Sequence, residues 1–471
     1  MSKLVKSSIG SFAAQTGLSL VEFIGTMLVA TIGGPSMLGT YVLFVVVYDV
    51  GTLLSNLGVW EATVKRIAEG DSRGEFLAAS FLTRGALLVP VLLFLVVFQD
   101  SIVDYIGDPV ATPFLLATVS MVVLVETVSA GLHGEQMVAR SRSSALVGSV
   151  GKVVIWGALL WLGYGLVGLL VGLLASKLLH VIVGVQFLSI RPRVPNRRHF
   201  QRLFQFSRYS WLGSMKKRAW IWTDTLVLGF FVASGLIGVY ELSWRLSAAF
   251  FLISMAVSSV LFANVDQLLE SKGPDAVSRA VSESLVYTGI LVIPGVVGGI
   301  VMARPLLTAF GSEYAIGYPV FVVLLLARLS HCYENVFAKV VNALDRPDLM
   351  FRANGMFILL NVVGNVVAIA TYGWIGAAVA TAVSMSVRTL MAYRYLTSLI
   401  DLTIPRREIL LETLAALMMG AVLLWVTRGG PTSTLWTVLT IGGGATLYGI
   451  LVLAFIGRVR TRVRSLVTPF I

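Results

Sequence analysis

"YGLVGLLVGLLASKLLHVIV" (residues 164–183) and "YGWIGAAVATAVSMSVRTLM" (residues 372–391) align without a gap. Both open on Tyr-Gly-x-x-Gly and continue in small and apolar residues, and Ser176 stands against Ser384. A second echo lies earlier in each half: "GTMLVATIGGPSMLGTY" ends at Tyr41 and "DTLVLGFFVASGLIGVY" at Tyr240. The two offsets, 208 and 199 residues, are close enough for one long unit to be repeated over nearly its whole length. Close helix packing accounts for the glycines and small residues. It does not account for both signals recurring in the same order.

The repeated unit belongs in a membrane. Hydrophobic residues make up 57% of the 471 and charged residues 13%, against roughly 45–50% and about 25% in soluble proteins. The mean hydropathy is +0.87. A bilayer crossing takes about 20 largely apolar residues. On that scale spans fall at 9–32, 37–63, 76–98, 113–136, 145–163, 165–189, 209–232, 236–264, 284–303, 317–343, 353–371, 373–393, 409–427 and 434–456. Six spans thus repeat as six in the same orientation, with two appended. A parallel repeat implies a pseudo-two-fold along the membrane normal. The expected fold is all-α and polytopic, with two six-helix lobes, two extra C-terminal helices and fourteen spans. Its parts are an N-lobe (1–190), a basic cytoplasmic linker (191–208), a C-lobe (209–395) and a C-terminal region (396–471).

Basic loops set the orientation. Lys65, Arg66 and Arg73, the run Arg191–Arg208, Arg406 and Arg407, and Arg458–Arg464 all fall on one side, whereas the opposite loops hold only Arg304 and Arg428. Positive charge marks the cytoplasmic face, so both termini are expected in the cytoplasm of a cell whose cytoplasmic membrane holds the chain. The formal charge of +12 is then topology signal and contact with anionic lipid, not a nucleic-acid surface. The short basic start "MSKLVKSSIG" leads straight into an apolar run, so no cleavable signal peptide is expected.

Catalytic signatures are missing. Cys332, the single cysteine, forms no intrachain disulfide, and with four histidines it suggests no metal cluster. "GSVGKVV" at 148–154 lacks the spacing and the Ser/Thr of a phosphate loop, and it lies inside a span. No nucleophile–base pair stands out. The expectation is a protein that is not an enzyme.

"FGSEYAIGYPVFVVLLLARL" (310–329), "NALDRPDLMFRANGMFILLNVVGNVVAIATYGWIGAAVAT" (342–381) and "WTDTLVLGFFVASGLIGVYELSWRLS" (222–247) resemble the polysaccharide transporter family. These are the O-antigen and lipid-linked oligosaccharide flippases, in the superfamily shared with MATE exporters and lipid II flippases. The resemblance runs over essentially the whole chain and is strongest in 220–395. It implies a MATE-like arrangement of two six-helix lobes working by alternating access.

Charge inside the spans is the remaining signal, since a charged side chain at the bilayer centre costs roughly 2.5–3.5 kcal/mol on insertion scales. Lys177 and His180 share a face of the sixth span, and His180 falls on Arg388 in the repeat. Lys177, Lys217 and Arg245 are the candidates for a central cation site, with His180 and Arg328 beside them. Snorkelling or structural ion pairing is the competing reading, and it leads for Arg84, Lys152, Lys339 and Arg388. Glu22, Asp49, Glu126 and Asp224 are candidates to carry a coupling Na⁺ or H⁺, or to be counter-ions. No other cofactor and no metal are expected. Gln15, Asn361 and Asn365 are candidate sugar contacts.

The leading function is a flippase for a polyprenyl- or dolichyl-linked glycan, whose phosphate meets the cations while its tail stays in the bilayer. Its partners would be that substrate, membrane lipids and glycan polymerase or ligase machinery, with the protein itself a monomer. A MATE-type cation or drug antiporter is the alternative. A glycosyltransferase would need a larger extramembrane loop than the 15–20 residues seen here. One consequence is directly checkable: an enzyme reporter fused after Ile471 should be active inside the cell, and activity only outside would refute the topology.

Overall fold

The computed structural model describes residues 3–248, 265, 273–428, 434–457 and 460, without the side chains of 3–9, 11, 12, 209, 211–221 and 434. Among the described residues there are helices and no strands. Eleven helices among the described residues are long and apolar enough to cross a membrane. The chain is a multi-pass membrane protein. Contacts divide it into two compact units, Met1–Gly238 and Val239–Ile471.

Unit 1 starts with α1 (Lys3–Asn56), which joins the first two expected spans through a kink at Gly34, where φ is 72°. A side chain would resist that left-handed backbone, and Pro35 next to it withholds an N–H from the helix ladder. Then come α2 (Val59–Ala68), α3 (Arg73–Val97), a short α4 (Gln99–Ile106), α5 (Ala111–Gly134), α6 (Val138–Trp161) and α7 (Gly165–Phe187). The stretch 188–196 is non-helical, and α8 covers Arg197–Phe231. The basic segment expected as a linker is therefore two-thirds helix. Asn196 explains where it turns: its side chain accepts from the Arg198 N–H at 3.0 Å, and its own N–H donates to His199 Nδ1 at 3.0 Å, a reciprocal cap. Leu203 then anchors this basic helix against Ile67, Phe76 and Ala79. α8 is too charged to count among the eleven apolar spans, yet it packs on α1, α2 and α3. The repeat places α8 with the second half of the sequence, whereas its contacts place it in unit 1.

The helix 234–248, α9, begins in unit 1 and continues into unit 2. Its first residues meet the segment of α1 after the kink, and the contact is reciprocal. A Cβ built on Gly39 would sit 3.0 Å from the Gly238 nitrogen, and one on Gly238 would sit 3.0 Å from the Gly39 nitrogen. The first would also strike the Ser234 carbonyl, and the second the Pro35 carbonyl. Gly39 and Gly238 are equivalent positions of the repeat, as are Pro35 and Ser234. Two segments that swap contacts in this way are related by a local two-fold.

Unit 2 continues with α10 (Pro274–Val301), α11 (Ala303–Thr308), a 3₁₀ turn (Ser312–Gly317), α12 (Tyr318–Ala343), α13 (Pro347–Tyr372), α14 (Trp374–Leu399), α15 (Arg406–Thr427) and α16 (Thr434–Phe455). Val281, Leu285, Val340 and Leu396 knit α10, α12 and α14 together. Ile293, Met419, Leu423 and Val452 fasten α15 and α16 to α10. The two quoted echoes correspond to α7 and α14, and each packs on the helix before it through small residues. A Cβ at Gly148 would lie 2.6 Å from the Ser176 carbonyl oxygen, and one at Gly364 would lie 3.3 Å from Ala380.

The reciprocal crossing makes a quantitative expectation. Gly39→Leu and Gly238→Leu should each overpack the same contact, at a cost of about 1–3 kcal/mol. Thermal unfolding of the purified variants in detergent should show comparable losses. A severe effect at one position and none at the other would refute the equivalence.

Candidate functional site

α1, α6 and α7 bring most of the intramembrane polar groups of unit 1 together. Ser149, Lys152 and Trp156 lie at steps of three and four on α6, hence on one face, and that face is turned to α1 and α7. Lys152 Nζ donates to both oxygens of Glu22, at 2.7 and 2.8 Å, and Ser149 Oγ donates to Glu22 Oε1 at 2.7 Å. The Lys152 ammonium also stands 4.7 Å over the Trp156 ring. That indole is fixed in turn: its N–H donates to the Leu169 carbonyl at 2.8 Å, and Tyr41 meets it edge-on at 5.1 Å. Gly172 permits this, because a Cβ there would lie 2.5 Å from the indole.

A second ion pair lies on α3 and α5. Arg84 is 1% exposed. It donates to Glu126 at 3.4 Å and to the Asn56 side-chain carbonyl at 3.0 Å. Asn56 Oδ1 also accepts from the Trp60 N–H at 2.9 Å, so it caps the start of α2 as well.

Lys177 differs from both. Its ammonium stands 5.1 Å over the face of Tyr48, and its electrostatic neighbours are Tyr48, Asp49 and Glu22. Among the described residues no carboxylate lies within ion-pair distance of it, whereas Lys152 and Arg84 each have one. His180, one turn along α7, is half-buried, and its Nε2 has no hydrogen-bond partner. Gln15 is exposed on α1, and Asp224 is buried on α8. The side chain of Lys217 lies outside the described residues.

In unit 2 the expected cations are held locally. Arg245 donates to Glu241, one turn earlier, at 2.6 Å. Arg328 stacks 3.9 Å from the Trp244 ring centre and donates to Ser247 at 3.4 Å. Arg388 pairs with Glu334 at 3.0 Å, with His331 3.9 Å from the same carboxylate. Asn361 and Asn365 are buried, and their amides work inside the protein: Asn361 donates to Thr381 at 3.1 Å, and Asn365 to the Asn361 carbonyl at 2.9 Å. The first bond ties α13 to α14, the second stays within α13, and Gln15 is left as the exposed amide of the three. Unit 2 also carries an apolar groove of 620 Å³ between α10, α15 and α16, lined by Pro294, Gly298, Met419, Ile441, Ala445 and Val452.

Several of these residues went unmarked as site candidates in the sequence reading. Tyr48 and Trp156 are aromatic residues in apolar runs, indistinguishable there from lipid-facing ones. Glu334 and Arg388 meet from different helices, so no spacing rule finds them. The i, i+3, i+7 run Ser149, Lys152, Trp156 was the available signal.

The family model described as polysaccharide biosynthesis protein matches residues 28–316. The chain belongs to that family. Across the family it is 31% identical over 477 residues to probable flippase AglR of Haloferax volcanii, covering 99% of both chains. It is 28% identical over 430 residues to probable low-salt glycan biosynthesis flippase Agl15 of the same organism, covering 89% of each. Among solved structures, lipid II flippase MurJ in an inward closed conformation superposes with a TM-score of 0.77 at 17% identity, over 97% of this chain and 99% of that one. An inward-facing multidrug MATE transporter gives 0.64 at 15%, over 82% and 94%. At such identities the structures speak for the fold, which is the MATE-like arrangement that the family resemblance implies.

The Glu22–Lys152 pair predicts its own mutational signature. Lys152→Met should strip charge-assisted bonds worth about 1.5–3 kcal/mol and leave Glu22 unmatched. Adding Glu22→Gln should recover part of the loss. Thermal unfolding of the two single variants and the double variant checks this, and strict additivity would remove the pair from the account.

Proposed function

We propose that this protein is a flippase that carries a lipid-linked sugar or oligosaccharide across the cytoplasmic membrane, serving assembly of a cell-surface glycan. The substrate class is a polyprenyl or dolichyl phosphate or pyrophosphate bearing the glycan. The single observation that carries the reading is Lys177: an ammonium at membrane depth held by the face of Tyr48, with no described carboxylate closed upon it. A phosphate oxygen would be a stronger partner than Tyr48, and the bond would be charge-assisted. Lys217 and His180 in unit 1, and Arg245 and Arg328 in unit 2, are proposed as further phosphate contacts, each within its own unit, and Gln15 as a sugar contact.

The relatives named for glycan flippases support the cargo class. The groove of unit 2 supports it too, since an open apolar channel of 620 Å³ suits a hydrocarbon tail that never leaves the bilayer. The reading makes the chain a transporter with no catalytic step of its own, with both termini in the cytoplasm. It acts as a monomer beside polymerase or ligase machinery. Its driving force would be a coupling Na⁺ or H⁺, with Asp49 and Asp224 as carriers. Glu22 and Glu126 instead serve as counter-ions to Lys152 and Arg84. A MATE-type antiporter shares the fold and is the second reading. The acid it would use in the first span, Glu22, is already engaged by Lys152.

Lys177→Ala should impair export while the protein inserts at normal levels. The loss of one charge-assisted bond, about 1.5–3 kcal/mol, corresponds to a roughly ten- to hundredfold weaker headgroup. Lys177→Arg should keep part of the function. The measurement is lipid extraction from cells carrying each variant: the lipid-linked glycan should accumulate on the cytoplasmic side with Lys177→Ala. Normal export by that variant would refute the cation site.

A further inference from the structure

The most heavily buried carboxylate among the described residues of unit 2 has no part in the ion pairs described above. Glu412, on α15, has no exposed surface, and neither of its oxygens has a hydrogen-bond partner. Two hydroxyls beside it are in the same condition: Tyr333 on α12 and Tyr448 on α16. Tyr333 and Tyr448 both feel the Glu412 carboxylate electrostatically, and Tyr448 also feels Tyr333. Glu408, one turn earlier on α15, is the charged group that acts on Glu412. No basic side chain among the described residues does so, in contrast to Glu22, Glu126, Glu241 and Glu334. Space for the carboxylate comes from Gly289: a Cβ there would collide with Glu412 Oε2 and lie 2.9 Å from the Tyr333 hydroxyl.

An ionised carboxylate without a cation is too costly to sit in a low-dielectric interior, and it takes up a proton instead. A neutral carboxyl is at ease among hydroxyls, each of which can donate or accept. We propose that Glu412, Tyr333 and Tyr448 form a proton-binding site in unit 2 that fills and empties as the protein works. On uptake, a new O–H bond forms on one Glu412 oxygen and points at a neighbouring hydroxyl oxygen. On release, that bond breaks and the proton leaves toward Glu408 or water, and the two tyrosine hydroxyls rotate to donate to the carboxylate. No electron moves and no other bond changes. The route is short: Glu412 is six residues into α15, about 9 Å at 1.5 Å per residue, and half-buried Glu408 lies between it and the basic end of the helix. Tyr448 also borders the apolar groove, so the charge state of the site is felt where that groove runs.

The proposal concerns a proton and no cargo, so it stands or falls apart from the flippase reading. Infrared difference spectra of the purified full-length protein in liposomes, taken between neutral and alkaline pH, test it. The wild type should show a protonated-carboxyl C=O band that disappears at high pH and shifts in D₂O. Glu412→Gln should lose the band, and Tyr448→Phe and Glu412→Asp should displace it. If Glu412→Gln does not fold, the other two variants decide the matter. A band unchanged in all variants, a carboxyl that stays protonated at every pH, or a band abolished by Na⁺ at constant pH would each overturn the proposal. The last would make the pocket a site for a metal cation.

Discussion

A charge placed in a bilayer must be met by something, and in this protein the need to meet it fixes which helices touch. Lys152 cannot reside on α6 unless α1 presents Glu22, and Arg84 cannot be buried on α3 unless α5 presents Glu126 and the end of α1 presents Asn56. Hydrophobicity supplies no such instruction, because lipid tails are as apolar as leucine side chains. The aromatic and small residues around the charges follow from them. Trp156 lies under the Lys152 ammonium, Gly172 makes room for Trp156, and the Leu169 carbonyl fixes the indole by accepting its N–H.

Against that background the polar groups sort themselves by what meets them. Lys152, Arg84, Arg245 and Arg388 are closed by carboxylates. Lys177 is met by an aromatic face, and Glu412 by hydroxyls that themselves lack partners. A group satisfied for good is part of the scaffold, and a group satisfied poorly is where a transient species can bind. Lys177 is a base and Glu412 an acid, and they lie in different units, which suits one to an anion and the other to a proton.

The repeat made the architecture legible, because it states that six helices occur twice, and hydropathy sets their lengths. Gly34 and Pro35 stand together in the sequence and mark where one long helix bends. The start of α8 was not legible, since Arg197–Arg208 is basic enough to read as a loop. What makes it helical is the Asn196 cap and the burial of Leu203 in a distant core. In the site, depth singled out Lys177 but said nothing of Tyr48, because cation–aromatic contact depends on the angle between α1 and α7. Asn361 and Asn365 share a face, as their spacing requires, but that face meets α14. Glu412 was overlooked because Arg406, Arg407 and Glu408 precede it, and it reads as the last charge of a solvated helix end. Only the packing of α10, α12 and α16 around it removes it from water.

The crossing of Gly39 and Gly238 carries a historical consequence. A half-length ancestor pairing with its own copy would have met itself at the axis, glycine against glycine. One codon then controlled both faces of the crossing, and any enlargement would have counted twice. Fusion of the two copies divided that control between two codons. Each arm would then be free to drift as long as the other stayed small; Pro35 and Ser234 differ, yet both offer a carbonyl to the opposite glycine.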